Sequence, residues 1–168
     1  MSADGITSVI IEWKGPYTLE QVKELGVGNG IYLLTGQKKR SRSYRDQLQY
    51  CGITERGFYD RLCRNHPKRE MIRPDSLGIW LGQVLHPISA DRSYLEHIEH
   101  CLVSFWAVHM NEKKRATNPK KPICLVSRWM RPNDKPYIRF PEPIQPLEDV
   151  LWWDTKHWRV GDLKVVAN

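Results

Sequence analysis

The sequence predicts an α/β (α+β) fold, and three observations carry that reading. Short runs of β-branched and aromatic residues, bounded by glycine, recur along the first half of the chain. A long stretch with apolar residues at helical spacing follows them. Two further strand-like runs then close the sequence around a turn. A length of 168 residues suits one domain with a single core, so residues 1–168 are read as one unit.

The elements follow in order. Ser8 to Trp13 (SVIIEW) reads as an N-terminal strand that Gly15-Pro16 breaks. Thr18 caps a helix over Leu19 to Leu25, with Gln21 placed as a capping box requires, and Gly26 and Gly28 stop it. Residues 30–35 form a strand, 36–47 a basic loop and 48–53 a second strand, a hairpin with an unusually long connection. A helix from Gly57 to Asn65 ends before Pro67, and residues 79–84 (IWLGQV) give a third strand. The clearest helix runs from Ser93 to about His109, with Tyr94, Leu95, Ile98, Leu102, Phe105 and Trp106 on one stripe and Asp91 or Ser93 as its cap. Residues 131–146 read as a proline-rich connection. Residues 148–153 and 157–165 read as a C-terminal hairpin around Asp154-Thr155-Lys156.

Lysine and arginine number 26 against 19 acidic residues, a net charge of +7 and a pI near 9.3. That balance favours a polyanionic partner, although a basic protein without one has the same composition. The distribution says more: Lys38, Lys39, Arg40, Arg42 and Arg45 crowd one loop, and Lys113, Lys114, Arg115, Lys120 and Lys121 another. No apolar run approaches the roughly 20 residues needed to span a bilayer. The start, MSADGITSVII, lacks the basic and apolar regions of a secretory signal, so a cytoplasmic protein is expected. Cys51, Cys63, Cys101 and Cys124 form no CxxC pair, which argues against a zinc knuckle and for reduced thiols.

Several residues invite a chemical reading. Tyr32, in GNGIYLLTG, and Tyr50, in YCGIT, each sit near a glycine on a short strand. Either alone is ordinarily a core residue with its hydroxyl at the rim. Glu99 lies at the border of the long helix's apolar stripe, where a carboxylate needs a partner. That partner is an arginine or a hard divalent cation. Arg61, in FYDRLCRNH, lies in the helix directly after the second strand. His97 and His100 have helical metal-ligand spacing but no evident third ligand, and they read as solvated. Most of the seven tryptophans read as packing residues.

Taken together, Gly30-Ile31-Tyr32, Tyr50-Cys51-Gly52, Arg61-Leu62, Glu99 within Glu99-His100-Cys101-Leu102-Val103, and Asn111 resemble, in that order, the motifs of the GIY-YIG nuclease superfamily. Cys51 replaces an aliphatic residue of the second motif, and the basic loop lengthens the spacer between the tyrosines. Asn65 stands where that family commonly has histidine or tyrosine, which leaves His66 or Tyr59 for the role. Asn118 competes with Asn111, which the spacing favours. The motif core covers 28–121, with a C-terminal hairpin extension at 128–168.

The resemblance implies a small central antiparallel or mixed sheet of about three strands flanked by helices, with an added N-terminal strand and C-terminal β-hairpin. It also implies a metal-dependent DNA endonuclease, a hydrolase of phosphodiester bonds. Tyr32 would assist the attacking water, with Tyr50 and His66 beside it. Arg61 would hold the phosphate, Glu99 one Mg²⁺ or Mn²⁺, and Asn111 would support the site. A phenol, with an ordinary pKa near 10, would need help from the metal and Arg61 to act as base. DNA backbone contact would fall to Lys38, Lys39, Arg40, Arg42, Arg45, Lys113, Lys114 and Arg115. The alternatives are a nuclease toxin or effector under an inhibitory or delivery protein partner, and a nucleic-acid-binding module without activity.

Overall fold

The computed structural model describes residues 5–26, 28–163 and 166. In chain order its elements are β1 (Thr7–Tyr17), α1 (Leu19–Leu25), β2 (Gly30–Gly36), β3 (Gln47–Thr54), α2 (Phe58–Cys63) and α3 (Pro67–Glu70). They continue with β4 (Gly78–His86), α4 (Arg92–Trp106), β5 (Ile123–Met130), β6 (Val150–Trp153) and β7 (Trp158–Gly161).

Local chemistry sets many of these boundaries. Thr18 and Gln21 exchange the two hydrogen bonds of a capping box at the start of α1, and Gly26 ends it in the left-handed region. Asp91 accepts from Tyr94 N–H at 3.1 Å and so caps α4. The helix expected over 57–65 is shorter, Phe58–Cys63, and a separate helix that was not expected follows it. Arg64 is extended and Asn65 has a positive φ of 35°, so the chain turns before Pro67. Proline then suits the first turn of α3, where its missing N–H costs nothing. Asp154 accepts from Lys156 N–H at 2.9 Å and His157 N–H at 2.7 Å, which closes the β6–β7 turn. The last strand is shorter than the 157–165 expected, and residues 164 and 165 lie outside the described residues.

All seven strands join one sheet in the order β3-β2-β4-β1-β5-β6-β7, which curls through 198° into a half-barrel. This overturns both the expected small sheet of about three strands and the resemblance to the GIY-YIG nuclease superfamily that implied it. β1 is no appendage: it is the middle strand, antiparallel to β4 from Ile10 to Tyr17 and parallel to β5 from Thr7 to Lys14. The terminal hairpin is no extension either, because β5 carries the sheet into β6 and β7. The sequence reading passed over β5, whose residues Ile123, Leu125, Ser127 and Trp129 alternate inward. The matching tripeptides have a local cause. A glycine facing a tyrosine is what an antiparallel pair needs when the ring lies across the neighbouring strand, whatever sheet surrounds it.

Two apolar clusters fill the faces. One packs Ile98, Leu102 and Val103 of α4 on Val9, Ile11, Trp13, Leu33, Leu125 and Trp129 of the sheet. The other sets Val22, Phe58 and Leu62 from the short helices on Tyr17, Tyr32, Leu34, Ile79 and Leu81. Among the described residues no helix is long and apolar enough to cross a membrane.

Candidate functional site

Tyr32 of β2 and Tyr50 of β3 lie on adjacent strands with ring centroids 6.1 Å apart, and His66 stands edge-on to both. Gly52 is directly across from Tyr32. A Cβ at that glycine would collide with the end of the Tyr32 ring and come within 2.8 Å of Tyr50 Cε1. The glycine is what lets the two phenols approach.

His66 is 2% exposed and is the N-cap of α3. Its Nδ1 accepts from Arg69 N–H at 3.1 Å, so a neutral ring carries its proton on Nε2. That Nε2–H, 2.9 Å from the Tyr32 hydroxyl, donates to the phenol oxygen. Burial, then the charges of Arg61 and Arg69, lower the His66 pKa to about 4, so the ring is neutral at neutral pH. Burial raises Tyr32 and Tyr50 above the ordinary phenol value, with the Tyr50 charge adding at Tyr32, the Glu99 charge adding at Tyr50, and Arg61 opposing at both. Both phenols therefore keep their protons at neutral pH and act as donors. Tyr32 is wholly buried, whereas Tyr50 is partly open and Arg61 exposed. What approaches from solvent meets Tyr50 and Arg61, with the Tyr32–His66 pair behind them.

Glu99 faces Tyr50 and Cys51 from α4, and its carboxylate is paired with Lys114 at 2.5 Å. The partner the carboxylate needs is thus a lysine. Asn111 hydrogen-bonds both backbone groups of Cys51, accepting from its N–H at 2.9 Å and donating to its carbonyl at 2.8 Å. Asn118 is elsewhere: its Oδ1 accepts from Ser104 at 3.1 Å and from Trp158 at 3.2 Å. Tyr59 sits apart under Lys23, whose ammonium is 5.8 Å from the ring centroid. His97 and His100 donate to the carbonyls of Lys121 and Thr117, at 3.2 and 2.8 Å, and fasten the second basic loop to α4.

The first basic loop is equally tied down. Lys39 N–H donates to Met71 O, Arg73 N–H to Gln37 O, each at 2.8 Å, and Lys38 bridges to Ile72. Lys38, Lys39, Arg40 and Ser41 thereby line a recess with Glu70 and Met71 at the end of α3. Lys68 of α3 pairs with Glu112 at 3.5 Å, next to the second loop. One short helix thus joins His66 to both basic loops. Arg61 and the five cations of the first loop pair with no carboxylate among the described residues.

Sequence reasoning brought Tyr32, Tyr50, Arg61, His66, Glu99 and Asn111 to one neighbourhood, but not the enzyme built on them. Among the described residues no group of three or more His, Cys, Asp and Glu could hold a metal ion. With the sheet also unlike the expected one, the assignment as a metal-dependent GIY-YIG endonuclease falls, and the hydrolase and metal-binding readings fall with it. Two features were missed: the burial of Tyr32 and His66, and the role of Arg73 under the first loop. No family model matches the chain, nor does a curated protein or a solved structure.

Proposed function

We propose that the protein binds DNA through its phosphates, with one phosphate on Arg61 and Tyr50 and its neighbours along the two basic loops. The observation that carries this reading is a set of exposed cations without a carboxylate partner among the described residues: Lys38, Lys39, Arg40, Arg42 and Arg45 on a loop anchored at both ends, and Arg61 on α2. Arginine supplies a fixed fork of donors to a phosphate, and a protonated phenol adds one more. Such contacts give affinity and position but little sequence information. The reading rests on charge and anchoring and requires no bond cleavage.

Binding of a labelled oligonucleotide across a salt series tests it. Affinity should fall log-linearly with salt, with a slope of about 0.9 per phosphate neutralised. Lys38→Ala with Arg40→Ala should reduce that slope by about 2, and Arg61→Ala should weaken binding at every salt concentration. Salt-independent binding, or none, rejects the proposal. A divalent cation on Glu99 would have to displace Lys114, and the same titration with and without Mg²⁺ or Mn²⁺, run on wild type and on Glu99→Gln, separates such an effect from competition of the cation at the DNA phosphates.

A further inference from the structure

Tyr44 stands at the tip of the first basic loop and is 79% exposed. Large exposed aromatic rings are ordinarily free to move, yet this one is held. The Arg73 guanidinium carbon lies over the ring, 5.6 Å from its centroid. The same guanidinium donates to Gln37 Oε1 at 3.0 Å and to the Ser41 carbonyl at 3.1 Å. Gln37 in turn donates to the Tyr44 carbonyl at 2.9 Å and to Asp46 at 3.1 Å. Side-chain turns at Ser41 and Ser43 fix the backbone between them, through bonds of 3.1 Å to Ser43 N and 3.3 Å to Arg45 N. Arg42 and Arg45 lie close to Tyr44 in sequence, on either side of it, and are exposed.

We infer that Tyr44 is a stacking platform for an unpaired base, and that the DNA bound here is single-stranded at this loop. The inference rests on the DNA-binding reading above and names its substrate class. One side of the ring is already on a guanidinium, so an incoming base completes a guanidinium–phenol–base stack. Little side-chain entropy remains to be lost, because Arg73 and Gln37 have already ordered the loop. Paired bases in a duplex present no free face, whereas every unpaired base has one. Arg42 and Arg45, exposed on either side of Tyr44 in the sequence, would take the neighbouring phosphates.

Fluorescence anisotropy with one labelled strand, alone and annealed to its complement, separates the possibilities. Tyr44→Ala should weaken strand binding roughly 5- to 150-fold, leave duplex binding within about twofold, and leave the salt slope unchanged. Tyr44→Phe and Tyr44→Trp should retain strand binding, and a 2-aminopurine strand should be quenched by wild type and not by Tyr44→Ala. Equal loss on strand and duplex, or no loss on either, overturns the stacking role while salt-dependent binding by wild type keeps the DNA reading. Wild type that binds neither form removes both.

Discussion

The Tyr32–His66 pair shows how one backbone hydrogen bond decides a side chain's chemistry. Because Arg69 N–H occupies Nδ1, protonating His66 would set an N–H against an N–H. The folded pKa of about 4 lies below the ordinary 6.5. Between those values the unfolded chain binds more protons than the folded one. The stability that neutral His66 contributes is therefore complete above about 6.5 and is lost as pH falls to about 4. Urea unfolding midpoints of wild type should decline across that window more steeply than those of His66→Gln; equal declines would show that His66 titrates normally in the fold. His97 is depressed too and adds a slope of the same sign to both proteins. The residue's position after Asn65 was readable in the sequence. Its burial was not, because a 35° φ at Asn65 and a new helix at Pro67 turn the ring inward.

At the scale of elements, Asn111 substitutes for a strand. β3 is an edge of the sheet, and Asn111 meets both backbone groups of Cys51 there. Asn111→Ala leaves those groups unpaired in a part-buried place and should cost about 1–3 kcal/mol. Chemical denaturation and faster hydrogen exchange at the Cys51 amide would check it; unchanged exchange would show that water replaces the amide. β2 to β4, α1 and α4 were legible because glycine, capping residues and clean periodicity mark them, whereas β1 runs on to Tyr17 through the Gly15-Pro16 expected to break it, absorbing the pair as a register shift against β4. β5 was not legible. Its alternation of Ile123, Leu125, Ser127 and Trp129 includes a serine on the buried face, explained only by Trp13 Nε1, which donates to Ser127 Oγ at 3.0 Å. Basic residues before it and proline after it hid the rest.

For the molecule as a whole, the seam between β1 and β5 matters most. Trp13 is fully buried and stacks on Trp129, with centroids 5.6 Å apart and planes 17° from parallel. Trp13→Ala should cost about 3–5 kcal/mol, read from urea unfolding, with far-UV dichroism confirming that the variant still folds. A loss under about 1 kcal/mol would mean the seam repacks readily. No local pattern announces such a seam, since Trp13 and Ser127, which are hydrogen-bonded across it, lie 114 residues apart in sequence. The overall charge, by contrast, is plain in the composition, and the fold adds where it is anchored.

A middle strand made first has a consequence during synthesis. β1 leaves the ribosome long before β5, and at 5–20 residues per second the wait for Met130 is roughly 5–25 s. Through that interval one ladder of amide and carbonyl groups is bare, a template for mispairing with other nascent chains. Slower translation would lengthen the exposure, and a holdase at the tunnel exit would shield it.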